Sequence, residues 1–206
     1  MKRNYNSPII IGLGNPEQEF HNTFHNAGTL FIEHLGKLLE TKILKTPPRR
    51  KFSFVVAPHM TLVKLETPMN ISGEGAQDVV SYFKAKPEQY IIAHDDTDLA
   101  LGTYKISTGR GSAGHKGIAS VARVLPLGVL KRIRIGVRPP EYAEHEKLMK
   151  AGLPVHSRTK AGDFVLQHIS AAHKKILDAT FGNIAQQLGV ISPEQDSVPR
   201  RIRTKS

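Results

Sequence analysis

With 206 residues, 39% of them hydrophobic, the chain can bury about 70% of the surface it exposes when unfolded, enough for one domain held by its own core. It has no Cys, which excludes thiolate catalysis, cysteine zinc sites and a disulfide framework. Lys and Arg total 29 against 18 acidic residues, and the net +11 favours an anionic partner such as nucleic acid, although the same surplus also serves solubility.

Residues 1–7 are basic but too short for a signal or transit peptide, and no run approaches the roughly 20 apolar residues of a membrane span. A soluble, non-secreted protein is expected. Residues 8–12 read as a buried strand, and 27–39 as a helix with Ala27, Leu30, Phe31, Leu35 and Leu38 at helical spacing. Residues 52–57 and 59–65 read as two strands joined at Pro58-His59. Ser72 stands where an N-cap would, before the stripe Ala76, Val79, Val80, Phe83. Tyr90-Ile91-Ile92-Ala93 is a short strand ending in a polar cluster, followed by a strand at 103–107 and a short helix through Ile118, Val121, Ala122 and Leu125. Residues 132–137 alternate basic and apolar, as a half-buried strand does. Residues 138–160 carry Pro139, Pro140, Gly152 and Pro154 without a period and are expected to form a long loop. A last helix covers 170–189, and the basic tail 191–206 is expected to be disordered. The pattern predicts one α/β domain over 8–190, a twisted mixed β-sheet flanked by helices.

Polar residues collect where strands end, the place open α/β sheets bind ligands. Gly12-Leu13-Gly14-Asn15-Pro16 follows the first strand, but Glu17 stands where a dinucleotide fingerprint needs its third Gly. His21 and His25 have zinc-helix spacing, yet Asn22 replaces the glutamate base of that motif. Met69-Asn70-Ile71-Ser72-Gly73 opens a helix, and its Asn can equally serve local backbone groups. His94-Asp95-Asp96-Thr97-Asp98 could bind a hard cation, orient a histidine or be a solvated turn. Gly109 to Gly117 is a glycine-rich loop entering a helix; it lacks both the P-loop ending and the spacing of a nucleophile elbow.

In order, Gly-Leu-Gly-Asn-Pro, Phe-His-Asn-Ala-Gly, Met-Asn-Ile-Ser-Gly, His-Asp-Asp-Thr-Asp and Gly-His-Lys-Gly resemble the bacterial-type peptidyl-tRNA hydrolase family. The likeness runs from Ile9 to about Ile169 and includes Arg132-Ile133-Arg134-Ile135-Gly136 and Asp163-Phe164-Val165-Leu166. It implies metal-free, cofactor-free hydrolysis of the ester between peptide and tRNA, by a cytoplasmic (or, in a eukaryote, mitochondrial) monomer. It implies His25 as general base, Asp95 as its orienting carboxylate, Asn15 and Asn70 as groups that hold the substrate and help polarise the carbonyl, and Asn15 as the position tied to a preference for N-blocked substrates. Phe20, Met69, Asn70 and Lys116 fall at substrate-contacting positions, and Arg134 at a residue that grips tRNA phosphate. The usual lysine partner of that grip falls on Ser107; Lys105, on the same strand face, is the candidate instead.

Phe20 stands where Tyr is common, and Pro68 where Phe is usual. Lys116 replaces a substrate-contacting Asn, exchanging a donor-acceptor amide for a donor-only ammonium. It could reach a phosphate or be drawn to the carboxylates at Asp95, Asp96 and Asp98. The main alternative is a catalytically silent RNA-binding or RNA-processing factor on the same scaffold; a small-molecule esterase is a third, which the charge opposes.

Overall fold

Alternating apolar residues give each central strand two buried faces, so helices must cover the sheet on both sides. The computed structural model describes residues 7–41, 46–109, 111–142 and 164–190. The basic N-terminus through residue 6, most of the expected 138–160 loop, Asp163 and the 191–206 tail lie outside them, and residues 140–142, inside the expected loop, are helical.

The strands are β1 (Ile9–Gly12), β2 (Phe52–Ala57), β3 (Met60–Leu65), β4 (Tyr90–Ala100), β5 (Tyr104–Thr108) and β6 (Lys131–Arg138). The helices are α1 (Ala27–Leu38), α2 (Ser72–Phe83), α3 (Lys116–Val121) and α4 (Ala171–Gln187). One mixed sheet runs in the order β2-β3-β1-β4-β6-β5. Its four inner strands are parallel, and β2 and β5 close the edges antiparallel to β3 and β6. Ile10, Leu62, Ile91 and Ile133 pack with α1 and α4 on one face. Ile9, Ile11, Val63, Tyr90 and Ile92 pack with α2 and α3 on the other.

Two local expectations change. Ser72 is not the N-cap of α2 but its first residue, and its hydroxyl donates to the Met69 carbonyl at 2.8 Å. The preceding 3-10 turn, Met69–Ile71, takes over the entry that a capping side chain would otherwise provide. The strand at 90–93 does not end at its polar cluster. It pairs with β6 in parallel from Ile91 to Asp96 and, past an irregularity, again at Ala100. The acidic residues therefore sit on a strand, held in fixed directions, and not on a turn.

Close approach of α1 to the sheet sets where the site forms. A Cβ on Gly28 would lie 2.2 Å from the Ala93 carbonyl oxygen and 2.7 Å from that of Leu13, both backbone atoms. Gly28→Ala is therefore expected to destabilise the fold by about 1–3 kcal/mol, the usual cost of overpacking, read from the urea midpoint. An unchanged midpoint would show that this contact can relax freely.

Candidate active site

The carboxyl ends of β1 and β3 open beside the polar half of β4, and a cleft of about 910 Å³ lies there. Asn15, Phe20, His25, Met69, Asn70, Asp95, Lys116 and Arg134 line it, whereas Lys105 does not.

His25 lies in a 3-10 turn, Phe24–Asn26, directly before α1. Its backbone N–H donates to the Val165 carbonyl at 2.7 Å, and Phe24 meets Phe164 edge-on at 6.0 Å between ring centres. That seam fixes the imidazole, whose Nδ1 is 2.9 and 3.0 Å from the two oxygens of Asp95. Asp95 is 2% exposed, so its charge must be met internally. His115 meets it too, with Nε2 at 2.9 Å from Oδ1. The sequence motif contained His115, but its role was not legible there. The available signal is that it caps α3: its Nδ1 accepts from the Ile118 N–H at 3.3 Å. A ring nitrogen that accepts carries no proton, so Nε2–H is the end that donates to Asp95. By the same reasoning His25 donates through Nδ1–H, leaving the lone pair of its Nε2 unused.

Burial alone would raise the Asp95 carboxyl, but the His115 and His25 imidazoles outweigh it and hold Asp95 well below the ordinary carboxylate range. Burial also draws the His25 pKa down; the charge of Asp95 and its hydrogen bond reverse this and leave it raised above 6.5, with Lys116 pulling the other way. His94, the neighbour on β4, is wholly buried and lowered to about 3, by burial and then by the charge of His115. It stays neutral and meets the His115 ring edge-on at 4.8 Å.

Asn15 is clasped by Asn26, a second residue whose part was not read from sequence. Asn26 Oδ1 accepts from the Asn15 N–H at 2.8 Å, and its Nδ2 donates to the Asn15 carbonyl at 2.9 Å. Asn15 Oδ1 in turn accepts from the Met69 N–H at 2.8 Å. The Asn15 amide therefore keeps only its NH₂ for other partners. Met69 is 4% exposed and linked through this bond, while Asn70 is exposed on the cleft wall.

The cations are placed unequally. Arg134 Nε donates to Asp96 Oδ2 at 2.5 Å, and this side chain is 11% exposed, so it is a mostly buried ion pair and not a free surface charge. Lys105 is exposed on β5, directly across from Arg134 in the β5–β6 register. The carboxylates do not draw Lys116 in: among the described residues it forms no ion pair within 4.0 Å and remains exposed in the cleft. His21 points away to Glu33 at 3.3 Å, which separates it from His25 and removes the zinc-helix geometry.

His25, Asp95 and His115 do bring three possible metal-ligand atoms within 4.8 Å of one another. In the hydrogen-bonded arrangement both ring nitrogens facing Asp95 carry protons, and freeing His115 Nε2 would take the acceptor from Ile118. The cluster is built to share protons. Neither imidazole meets a hydroxyl group among the described residues, so no serine is activated there. An open α/β sheet with a carboxylate-held imidazole in a cleft at its carboxyl edge is the class of protein this structure defines.

The chain belongs to the peptidyl-tRNA hydrolase family, whose sequence profile matches residues 9–205. It is 31% identical to a peptidyl-tRNA hydrolase of Carboxydothermus hydrogenoformans over 192 residues, covering 90% of this chain and 92% of the relative. It is 33% identical to that of Geobacter metallireducens, covering 88% and 86%. The crystal structure of peptidyl-tRNA hydrolase from Acinetobacter baumannii superposes with a TM-score of 0.73 at 25% identity, covering 93% of this chain and 91% of that one. No helix of the described residues is long and apolar enough to cross a membrane.

Proposed function

We propose that the protein hydrolyses the ester joining a peptide, or another N-blocked aminoacyl group, to the 3′ end of tRNA, releasing the peptide acid and free tRNA. The observation that carries this reading is the Asp95-held imidazole of His25, with one ring nitrogen left for water, in a chain of this family. Water bound at His25 Nε2 gives up a proton as its oxygen attacks the ester carbonyl. The imidazolium that forms is stabilised by Asp95, whose Oδ1 also keeps its hydrogen bond from His115. Asn15 Nδ2 donates to the carbonyl oxygen as it becomes negative. Collapse breaks the bond to the ribose oxygen, which takes back the proton that His25 holds. An ester is reactive enough that oriented water suffices.

Phe20, Met69 and Asn70 serve as contacts for the terminal nucleotide and the peptide backbone. Lys105 and Arg134, adjacent across β5 and β6, lie where an acceptor-stem phosphate can be met, with Arg134 first released from Asp96 or reaching past it. No second subunit is needed to complete the cleft, and we read the protein as a monomer acting in the cytoplasm, or in the mitochondrial interior of a eukaryote. The test is release of N-acetylamino acid from N-acetylaminoacyl-tRNA by purified protein. Binding of tRNA without release would assign the chain to the silent RNA-binding alternative.

A further inference from the structure

Among the described residues three Lys or Arg side chains line the cleft, and two already serve the protein. Arg132 donates to the Gly111 carbonyl at 3.1 Å, and Arg134 is paired with Asp96. Lys116 has no hydrogen bond or ion pair among the described residues. The acids of the wall do not want it: Asp95 is held by His25 and His115, Asp96 by Arg134, and Asp98 faces Arg138 at 3.6 Å. Glu17, the remaining carboxylate there, is exposed and makes no ion pair among the described residues. Among the described residues a positive charge is thus left over inside a cleft whose buried carboxylates, Asp95 and Asp96, are both otherwise held.

The base of that side chain is well fixed. His115, one residue before, is locked between Asp95 and the Ile118 N–H. Gly117, one residue after, lies so close to Met69 that a Cβ there would stand 2.4 Å from its sulfur. The ammonium end, by contrast, is exposed on a flexible stem, and its charge is felt at His25. Stabilising an oxyanion needs donors fixed in advance, which the Asn15 amide supplies and a mobile lysine does not. A mobile point charge suits phosphate.

Resting on the reading of this cleft as a peptidyl-tRNA site, we propose that Lys116 grips the phosphate joining the last two nucleotides of the substrate, one sugar away from the scissile ester. This contact belongs to the lysine of this chain, since an amide at the same position carries no charge to offer.

The test compares wild type, Lys116→Ala and Lys116→Arg on two substrates: N-acetylaminoacyl-tRNA, and the same acyl ester on adenosine, which has no phosphate. The rates are taken at a pH well above the His25 midpoint, where loss of the Lys116 charge no longer changes how much of the base is neutral. There Lys116→Ala should raise KM for the tRNA ester about tenfold with kcat retained, Lys116→Arg should stay near wild type, and the adenosine ester should show no such rise in KM. A parallel arm measures binding of a short single-stranded RNA ending in CCA across salt concentrations. The slope of log affinity against log salt should fall by about 0.7 in Lys116→Ala, the loss of one phosphate contact. An unchanged KM and slope overturns the proposal. So does equal impairment on the adenosine ester, which would put the charge at the carbonyl. If wild type cleaves neither ester, the hydrolase reading fails, and the RNA slope still decides whether Lys116 meets phosphate.

Discussion

His25→Ala should lower the rate of ester release by about 10²–10⁴-fold, the usual worth of a general base, while tRNA binding persists. The expectation follows from the division of labour around Asp95. The carboxylate has two imidazole partners, so removing one still leaves it bonded to His115 at 2.9 Å and not stranded in the interior. The backbone bond of residue 25 to Val165 does not need the imidazole. The loss should therefore fall on kcat, with unfolding and RNA affinity close to wild type. Single-turnover release from N-acetylaminoacyl-tRNA separates these quantities. A rate within a few-fold of wild type would remove His25 from the mechanism.

Asp95→Asn should be comparably damaging, by up to about 10⁴-fold, the cost seen when a catalytic histidine loses its orienting carboxylate. An amide puts an NH₂ donor in place of one carboxylate oxygen. His25 presents its Nδ1–H to both oxygens while His115 presents Nε2–H to Oδ1, so in either orientation of the amide a donor faces a donor. One of them must turn away or change tautomer, and if His115 does so, Ile118 loses its acceptor. The pH profile gives a separate signature. His25 acts as a base only when neutral, and its pKa is raised above 6.5, so the rate should climb with pH through a midpoint above 6.5. Asp95 is what raises it, through its charge and hydrogen bond; burial and Lys116 act in the opposite direction, and the neutral His94 contributes no charge. In Asp95→Asn the midpoint should move to lower pH, because only the lowering influences remain. A midpoint that stays put in the variant would mean that another group titrates.

The parts of the site legible in the sequence were those carried by short contiguous motifs. Gly12 to Pro16, His25 to Gly28 and His94 to Asp98 each keep their functional side chain beside the strand or turn that aims it. Alternation and helical spacing located β1, β2, β3, β5, β6, α1, α2 and α4 to within a residue or two, because each buries a continuous apolar face, whereas β4 runs seven residues past the expected 90–93 and α3 stops at Val121, short of Leu125. What escaped depends on pairing between distant segments. Nothing near Asp95 announces that β4 continues to Ala100; that follows from β6 lying alongside it in parallel. Arg134 reads as a free cation until the register sets it beside His94, two residues from Asp96 and so on the same strand face. His115 lies in a glycine-rich stretch whose composition suggests a phosphate loop, and its role appears only when α3 folds back and brings Nε2 to Asp95. Asn26 likewise looks like a helix-entry residue, although its amide spans 11 positions of sequence to clasp Asn15.

The orientation of the Asn15 amide has a consequence for substrate choice. Because the Met69 N–H occupies its oxygen, this side chain presents only N–H groups to an incoming acyl chain. The carbonyl of an N-acyl or peptide group is a matching acceptor. The free α-ammonium of an ordinary aminoacyl-tRNA carries protons of its own and a positive charge, and it would enter a cleft that already holds the Lys116 charge, unpaired among the described residues. On the proposed role of Asn15, free aminoacyl-tRNAs would be spared and N-blocked ones cleaved, a selectivity set by which end of one amide a backbone N–H holds.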